Sequence, residues 1–346
     1  MAHLFTKGLL LSLALGLMTA CDDVDTRPQM DIEGKTMGTF YSVKISGEIP
    51  QSQQQLQQEI DALLEQANND ISTYRDTSVL SRFNQYRGTE AQPIPRGMAD
   101  IILQALRIGQ DTHGAMNITV GPLVNLWGFG PEKQPTKIPT QYQIDNALKQ
   151  VGLQHLKLIS DNRGEWLQKD RPDLYVDLST LGEGYGVDQL VNLMMRHGIT
   201  NYLVSVGGAV SSRGVNGQGR PWRVAIQKPT DKENAVQALV NLQGYSISTS
   251  GSYRNYFEQS GQRYSHVLDP ATGRPITHKL VSATVIATTA LEADGWDTGL
   301  MVLGPEKALK LAQEKGLAVY LVSKTDTGFS AIMTPQFNAF LAPDQH

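Results

Sequence analysis

The sequence places two carboxylates and a hydroxyl close together in a segment that follows a long apolar run. Asp294, Asp297 and Thr298 are spaced i, i+3 and i+4, so a helix would bring their oxygens to one face. Such a hard-oxygen set suits Mg²⁺, which keeps water and substrate phosphate as its remaining ligands. The alternative is an acidic first helical turn that interacts with the helix dipole. Because the segment follows an apolar strand predicted over 281–290, we expect the acids near a strand end and favour a metal site.

A glycine-rich segment, residues 176–186, joins a strand-like stretch to a helix predicted over 183–197. Glycines at the start of a helix expose backbone N–H groups at the positive end of the dipole, which suits a phosphate group. The alternative is helix capping by Ser179 or Thr180, with Glu183 completing a capping box. Neither of the standard nucleotide-binding strings, G-x-x-x-x-G-K-S/T or G-x-G-x-x-G, occurs in the chain.

A histidine ends the short strand predicted before a turn at residues 269–273, which contains an Asp-Pro and a Thr-Gly pair. His266 could accept the proton of an attacking hydroxyl. The alternative is a structural histidine that only makes hydrogen bonds. The other six histidines lack the spacing of metal ligands, and the chain has no G-x-S-x-G nucleophile elbow.

These three segments must be positioned by a chain of 346 residues, of which 40% are hydrophobic and 18% are charged. That apolar share can build a large core, so intrinsic disorder is not expected over most of the chain. The formal charge of −4 argues against a broad polyanion-binding surface, so nucleic acid is not an expected partner. The single cysteine excludes an intrachain disulfide and a cysteine-rich metal site.

The elements that carry these segments are a mixture of helices and many short strands. Helical periodicity predicts helices over 51–69, 98–112, 183–197 and 305–315. Alternating or short apolar runs predict strands over 39–46, 202–206, 222–227, 238–242, 245–249, 281–288, 318–322 and 330–333. The Gly and Pro content of residues 123–140 predicts a loop. Since turns join most of these strands, we expect an α+β fold with mostly antiparallel or mixed sheets and packed helices.

The N-terminus carries an export signal. An apolar run over residues 8–18 is long enough for a signal-peptide core but too short to span a bilayer as a helix. The run ends in Met18-Thr19-Ala20-Cys21, which is typical of a bacterial lipobox whose cysteine is acylated and becomes the mature N-terminus. The alternative is an ordinary signal peptide with an incidental cysteine.

We therefore predict a signal peptide over 1–20, a lipidated Cys21 with a tether over 21–30, and one domain over 31–346. Asp22 directly after the acylated cysteine is typical of lipoproteins retained at the inner membrane. The predicted location is the periplasmic face of the inner membrane, with the chain anchored by lipid.

With these segments collected, the chain resembles the ApbE family, the FAD:protein FMN transferases of bacteria. The resemblance covers residues 33–335 and rests on short strings in the family's order: Thr36-Met37-Gly38-Thr39, Ser72-Thr73-Tyr74, Ser81-Arg82-Phe83-Asn84, 114–120, Asp177 to Asp188, Val206-Gly207-Gly208, Ser248-Thr249-Ser250-Gly251, His266 to Gly273, and Ala293 to Thr298. Each string alone is weak, and their shared order makes the resemblance specific.

The resemblance implies a Mg²⁺-dependent reaction in which a Thr or Ser hydroxyl of a target protein attacks the FMN-side phosphorus of FAD, and AMP leaves. The implied targets are exported flavoprotein subunits of the sodium-translocating NADH:quinone reductase and of the Rnf complex. It assigns the metal to Asp294, Asp297 and Thr298, helped by Thr180, and makes His266 the candidate general base. The positions that match FAD-lining residues of the family are Met37, Tyr74, Ala115, Met116, Asn117, Asp177, Glu183 and Leu268.

Three positions depart from the family pattern. Asn117 stands where many members have Asp, Glu183 where many have Lys, and Ala209 where a polar residue often follows the Gly-Gly pair. A carboxylate cannot neutralise a phosphate, so we expect Glu183 to accept hydrogen bonds from the nucleotide.

Two other functions stay open. A periplasmic FAD pyrophosphatase, which uses water as the acceptor, would share all of these residues. A non-catalytic flavin-binding lipoprotein would have no need for the cluster formed by Asp294, Asp297 and Thr298.

Overall fold

The computed structural model describes residues 27–131, 138–229, 236–253, 256–259 and 262–343. Cys21 and the predicted signal peptide over 1–20 lie outside the described residues, so export and lipidation stay predictions. Among the described helices, none has both the length and the apolar composition that a membrane-spanning segment needs.

Helices and short strands alternate along the described residues. The helices are α1 (Gln53–Ile71), α2 (Val79–Gln85), α3 (Arg96–Asp111), α4 (Gly121–Leu126), α5 (Gln141–Leu148), α6 (Ser179–Arg196), α7 (Ala290–Leu303) and α8 (Pro305–Glu314), with 3₁₀ helices at Leu153–His155 and Pro335–Phe340. The strands are β1 (Gln29–Thr36), β2 (Thr39–Ser46), β3 (Gln92–Ile94), β4 (Leu156–Asp161), β5 (Gly164–Lys169), β6 (Tyr202–Val206), β7 (Ala209–Arg213), β8 (Val224–Gln227), β9 (Val236–Val240), β10 (Ser246–Gly251), β11 (Tyr256–Gln259), β12 (Gln262–Ser265), β13 (Leu268–Asp269), β14 (Arg274–Pro275), β15 (Leu280–Ala287), β16 (Ala318–Thr325) and β17 (Gly328–Met333).

The centre of the fold is an eight-stranded sheet with the strand order β1-β2-β6-β7-β10-β15-β16-β17. Every neighbouring pair of strands in it is antiparallel. In β2 the alternating residues Tyr41, Val43 and Ile45 are buried, as the period of two predicts. β1 already begins at Gln29, so the last two residues of the tether predicted over 21–30 belong to the sheet.

The two ends of this sheet differ in what they carry. At the end we call the turn end, the β1–β2 turn at Met37 and Gly38 lies beside the β6–β7 turn, because the Gly207 amide donates a hydrogen bond to the Phe40 carbonyl over 2.9 Å. The register of the strands places the first residue of β1 and the last residue of β7, Arg213, at the opposite end. We call this opposite end the N-terminal end.

Helices α6 and α7 pack side by side on one face of the sheet, and α1 and α3 pack against them. α1 buries Leu56, Ile60 and Leu64 in one stripe against α6, β1 and β2. Glycines let α7 approach α3, since a Cβ built on Gly295 would lie 2.6 Å from Cδ1 of Ile108. On the other face of the sheet, the β8–β9 hairpin and the last 3₁₀ helix form a second apolar layer.

The predicted α+β fold with mostly antiparallel sheets is confirmed. The loop predicted over 123–140 is wrong at its start, where α4 runs to Leu126. That helix has only six residues, which is too short for a helical periodicity to be recognised in the sequence. The helix predicted over 183–197 begins earlier, at Ser179, and so brings Thr180 into its first turn.

Candidate active site

Helices α6 and α7 meet at Gly184, where no side chain fits between them. A Cβ built on Gly184 would lie 2.5 Å from the carbonyl oxygen of Ala290 and 2.7 Å from Cβ of Asp294. The Gly184 amide donates a hydrogen bond to Oδ2 of Asp294 over 2.7 Å. In the other direction, the Asp188 carboxylate accepts hydrogen bonds from the amides of Ala290 and Leu291 over 2.7 and 3.0 Å. The two helices are therefore joined by a carboxylate from each side.

Asp294 and Asp297 are buried, with 7% and 1% of their surface exposed. Burial raises the pKa of Asp294, and the nearby Glu183 carboxylate raises it further. Burial also raises the pKa of Asp297 well above its ordinary value, and the charge of Asp294 adds to that effect. Ser248 Oγ donates to Oδ1 of Asp294 and Thr298 Oγ1 donates to Oδ1 of Asp297, each over 3.2 Å. These neutral donors stabilise the two carboxylates without cancelling their charge.

The predicted metal residues come together at this junction. Asp294, Asp297 and Thr298 lie on α7 with the predicted helical spacing, and Thr180 lines the same cavity as Thr298. The acid in the first turn of α7 is Glu292, so the alternative of a first-turn acidic cluster is wrong for these residues.

The donor set fits a divalent cation. A cation would offset both the desolvation of the two aspartates and their mutual repulsion, which are the causes of their raised pKa values. Each carboxylate oxygen has a second lone pair beyond the hydrogen bond that it accepts. No group of three or more His, Cys, Asp or Glu side chains in the described residues is arranged to hold a metal ion. Hydroxyls, water and substrate oxygens would therefore complete the coordination.

A cavity of about 100 Å³ lies beside this cluster. Three hydroxyl side chains line it, those of Thr180, Ser250 and Thr298, together with the ring of His266. The rest of the lining consists of Ala115, Met116, Asn117, Val120, Val124, Val267, Leu268, Pro270 and Val302. The cavity thus unites seven of the predicted site residues from four separate segments of the chain.

His266 follows β12 and lies at the edge of the cavity. Its ring meets that of Phe129 edge-on, with 6.3 Å between the ring centroids. The neighbouring backbone is held by Ser265, whose Oγ accepts a hydrogen bond from the Val267 amide over 3.1 Å. The imidazole therefore lies beside the hydroxyls, where a proton acceptor would be needed.

Glu183 packs against the β6–β7 turn rather than capping its own helix. Its Oε2 accepts a hydrogen bond from the Gly208 amide over 2.6 Å. Gly207 has a φ of 53°, and a Cβ built there would lie 2.0 Å from Oε1 of Glu183. Burial raises the pKa of Glu183. The turn can therefore lie against this carboxylate only because it is built from glycines.

The segment before α6 fixes the predicted flavin residue Asp177. Its Oδ1 accepts hydrogen bonds from the amide and the hydroxyl of Ser179 over 2.9 and 2.5 Å. The cap position is Leu178, which makes no side-chain capping bond, so the alternative of a capping box is wrong. The Asn84 amide group both donates to and accepts from the backbone of Val176, each over 2.8 Å. These bonds hold the backbone from which Asp177 projects.

Four predicted flavin-lining residues lie outside the 100 Å³ cavity: Asp177 and Glu183, described above, and Met37 and Tyr74. Met37 and Gly38 form the β1–β2 turn with φ values of 49° and 76°. The Met37 side chain lies next to α6, because its Sδ would be 3.8 Å from a Cβ built on Gly182. Met37 also lines a separate cavity of about 750 Å³ between the turn and α1. Tyr74 is 65% exposed, and both burial of its hydroxyl and the charge of Asp177 raise its pKa. Met37 and Tyr74 therefore flank the start of α6 and extend the site beyond the cavity.

Asn117 keeps an acceptor oxygen where the family often has Asp. Its Oδ1 accepts hydrogen bonds from the amide and the hydroxyl of Thr119 over 2.9 and 2.7 Å. The departure from the family pattern therefore preserves this loop contact and removes one negative charge near the cavity.

Three site residues were given no role from the sequence, namely Asp188, Ser248 and Ser250. Ser248 is 2% exposed and bonds Asp294 across 46 residues of sequence. Both serines belong to a string that matches the family, but neither was assigned a contact, because alternation along β10 also fits an ordinary half-buried strand. Asp188 was part of a matching string, but its contact with the start of α7 spans 102 residues.

Comparison with known proteins agrees with this geometry. The model of the ApbE family matches residues 37–321. The chain is 55% identical to the FAD:protein FMN transferase of Escherichia coli (strain K12) over 351 aligned positions, which cover 99% of both chains.

Solved structures of similar proteins have the same fold. The flavin transferase ApbE from Vibrio cholerae superposes with a TM-score of 0.84 at 43% identity, covering 91% of this chain and 100% of that one. The apo form of the Pseudomonas stutzeri flavinyl transferase ApbE superposes with a TM-score of 0.83 at 37% identity, covering 92% of this chain and 98% of the other.

Proposed function

Because the chain belongs to the ApbE family, we propose that it is an FAD:protein FMN transferase that depends on Mg²⁺. The hydroxyl oxygen of a Thr or Ser on the acceptor protein attacks the FMN-side phosphorus of FAD. The bond from that phosphorus to the bridging oxygen breaks, and AMP leaves with the bridging oxygen. The hydroxyl proton passes to a base, and the product carries FMN through a phosphoester bond.

The start of α6 supports binding of the pyrophosphate. The first turn of α6 places the positive end of the helix dipole beside the cavity, while its Ser179 amide already donates to Asp177. The hydroxyls of Thr180, Ser250 and Thr298 line the adjoining cavity and can donate to phosphate oxygens. This arrangement would fix the phosphorus beside the acceptor hydroxyl, which lowers the barrier through orientation.

Asp294, Asp297 and Thr298 would hold Mg²⁺, with Thr180 nearby on α6. When bound, the cation supplies positive charge to the pyrophosphate as negative charge develops during transfer. The single observation that carries this assignment is the pair of buried carboxylates, Asp294 and Asp297. Among the described residues, the groups that donate hydrogen bonds to them are neutral. A purely flavin-storing protein would have no need for such a pair.

His266 would accept the proton of the attacking hydroxyl. It lines the cavity together with the three hydroxyl side chains, so the acceptor oxygen can lie between the ring and the phosphorus. Phe129 holds the ring at its edge, which limits the orientations that the imidazole can adopt.

The FAD-lining residues would be those that flank the start of α6 and the cavity. Met37 and Tyr74 offer apolar surface at the turn end, and Glu183 offers a carboxylate oxygen to nucleotide donors. The remaining contacts would come from Ala115, Met116, Asn117, Asp177 and Leu268.

The direct test mixes the purified protein with FAD, Mg²⁺ and a candidate acceptor. The expected acceptors are exported flavoprotein subunits of a sodium-translocating NADH:quinone reductase or of an Rnf-type complex. Mass spectrometry should then find an FMN-sized adduct on one Thr or Ser of the acceptor. Conversion of FAD to FMN and AMP without any adduct would instead make the protein an FAD pyrophosphatase, and unchanged FAD would make it a flavin carrier.

We also infer that the protein is anchored by lipid on Cys21 at the periplasmic face of the inner membrane. The sequence before Cys21 supports this location, since it combines a short apolar core with a lipobox. Cys21→Ser should release the protein from membranes and leave transfer in solution unchanged. Membrane attachment that persists in this variant would contradict lipidation.

A further inference from the structure

The chain joins the folded domain at the N-terminal end of the main sheet. The Arg27 amide donates a hydrogen bond to the Gly217 carbonyl over 2.9 Å, and the Gly47 amide donates to the Pro28 carbonyl over 2.8 Å. A Cβ built on Gly217 would lie 1.8 Å from Nε2 of Gln29, so the start of β1 packs directly on the loop over 214–223. The described chain therefore begins against this loop.

Three exposed arginines, which we call the arginine cluster, lie at the end of β7 and in the segment that follows it. Arg213 ends β7, and Arg220 and Arg223 lie in the segment between β7 and β8. Within the described part of the chain, none of the three forms an ion pair with an acidic side chain. Their charges are therefore available to a partner.

The sequence around the cluster is also depleted of acids. Residues 189–230 contain no Asp or Glu, although the whole chain has a formal charge of −4. The cations in that stretch are Arg196, Arg213, Arg220, Arg223 and Lys228. The acids on adjoining elements are Asp31 and Glu33 of β1, with Asp31 opposite Lys44, Glu48, which follows Gly47, and Glu59, which pairs with His197 over 2.7 Å. This end of the molecule is thus locally basic.

The predicted lipid anchor lies close to this basic end. Only residues 22–26 separate Cys21 from Arg27, a stretch that spans at most about 20 Å when fully extended. Three of these five residues are aspartates, which anionic headgroups repel. Attraction to such a surface would therefore have to come from the folded domain.

The candidate active site lies at the other end of the sheet. β1 has eight residues, so the Met37 turn lies about 23 Å from the N-terminal end. Helix α6 begins at the turn end, where Thr180 and Glu183 lie, and ends at Arg196 toward the N-terminal end.

We propose that the arginine cluster rests on the anionic lipid surface to which Cys21 anchors the chain, so that the flavin site faces away from the bilayer toward exported acceptors. The proposal rests on the lipidation and location inferred above. It commits to phospholipid headgroups as the partner, because the anchor itself brings the cluster within reach of them.

The first test separates headgroup binding from the lipid anchor. It uses the full chain with Cys21→Ser and measures binding to vesicles of phosphatidylglycerol and phosphatidylcholine, and to vesicles of phosphatidylcholine alone. Changing Arg213, Arg220 and Arg223 to Gln should weaken binding to the anionic vesicles about a hundredfold, at about fivefold per arginine. The matched control changes Lys307, Lys310 and Lys324 to Gln, which removes the same charge from α8 and β16.

Equal weakening in the control, or equal binding to neutral vesicles, would overturn the proposal. A triple arginine variant that binds vesicles normally but fails to modify its acceptor would also overturn it, and would assign the cluster to the acceptor protein. Transfer to a soluble acceptor should be unchanged in both triple variants. This assay tests the proposed transferase activity separately from vesicle binding.

The second test measures orientation in the lipidated protein. Because acylation would occupy the only cysteine, a cysteine introduced at Gln218 or at Lys35 can be labelled selectively with a fluorophore. Gln218 lies at the N-terminal end and Lys35 beside the Met37 turn, and both are exposed. A quencher on the lipid headgroups should dim the label at Gln218 and spare the label at Lys35. Equal or reversed quenching would overturn the proposed orientation.

Discussion

The amide of Gly184 on α6 donates a hydrogen bond to Oδ2 of Asp294 on α7 over 2.7 Å, at a point where the two helices leave no room for a side chain. This contact sets how far the carboxylates of α7 lie from the first turn of α6. A phosphate at the start of α6 and a cation at Asp294 would therefore be held at a fixed separation. The site depends on the packing of two helices as much as on its polar residues.

Gly184→Ala should separate the two helices. Its Cβ would lie 2.5 Å from the Ala290 carbonyl oxygen and 2.7 Å from Cβ of Asp294, so we expect a loss of about 1–3 kcal/mol in the free energy of unfolding and a large loss of transfer. Gly182→Ala is the matched control, because its Cβ would meet its neighbours at 3.7 Å or more. Denaturant unfolding of both variants checks this, and equal stability of the two would contradict the packing argument.

Asp297→Asn should separate stability from activity. Burial and the charge of Asp294 raise the pKa of Asp297, so removing its charge should stabilise the metal-free protein at pH 8. Transfer should nevertheless be lost, and Mg²⁺ should raise the melting temperature of the wild type but not of the variant. A variant that is destabilised and still responds to Mg²⁺ would rule out a metal-binding role for Asp297.

Asp188 should make stability depend on pH in a known direction. Burial raises the pKa of Asp188 from 3.8 to about 6. The hydrogen bonds from the two α7 amides lower this pKa, but their effect is smaller than that of burial. A carboxyl with a raised folded pKa stabilises the fold fully below its ordinary pKa and loses that contribution as pH rises through the folded pKa. The wild type should therefore lose about 2 kcal/mol relative to Asp188→Asn between pH 4 and pH 7. A constant difference in unfolding free energy over that range would be the contrary result.

His266→Ala should slow FMN transfer by about 10²–10⁴-fold, the usual contribution of a positioned base. FAD affinity should change little, because the ring lies at the edge of the cavity with Phe129. Single-turnover transfer and FAD binding are measured on the same preparation. A rate within about threefold of wild type would exclude His266 from proton transfer, and a joint loss of thermal stability and FAD binding would indicate a structural role.

Local periodicity predicted most of what lies within one element. The strands over 39–46 and 202–206 occupy the residues expected, and the helical spacing of Asp294, Asp297 and Thr298 is as the sequence indicates. The strands β3, β13 and β14, of two or three residues each, were not predicted, since they are too short to show a period.

Long-range contacts account for what the sequence could not predict in the site. The alternative of a capping box at Glu183 is wrong because its carboxylate accepts a hydrogen bond from the Gly208 amide, in a turn 25 residues away. The bonds from Ser248 to Asp294 and from the α7 amides to Asp188 join elements that only the folded sheet brings together. Spacing along the chain carries no signal for such contacts.

The most direct measurement quantifies AMP and FMN-modified acceptor in one reaction that contains the protein, FAD, Mg²⁺ and an acceptor with a single reactive Thr. Transfer predicts one AMP for each FMN-modified acceptor, no free FMN, and loss of both products with chelator or with Asp297→Asn. If that Thr is changed to Val, both AMP and FMN-modified acceptor should form far more slowly. AMP and free FMN formed in equal amounts, without modified acceptor, would contradict the assignment as a transferase.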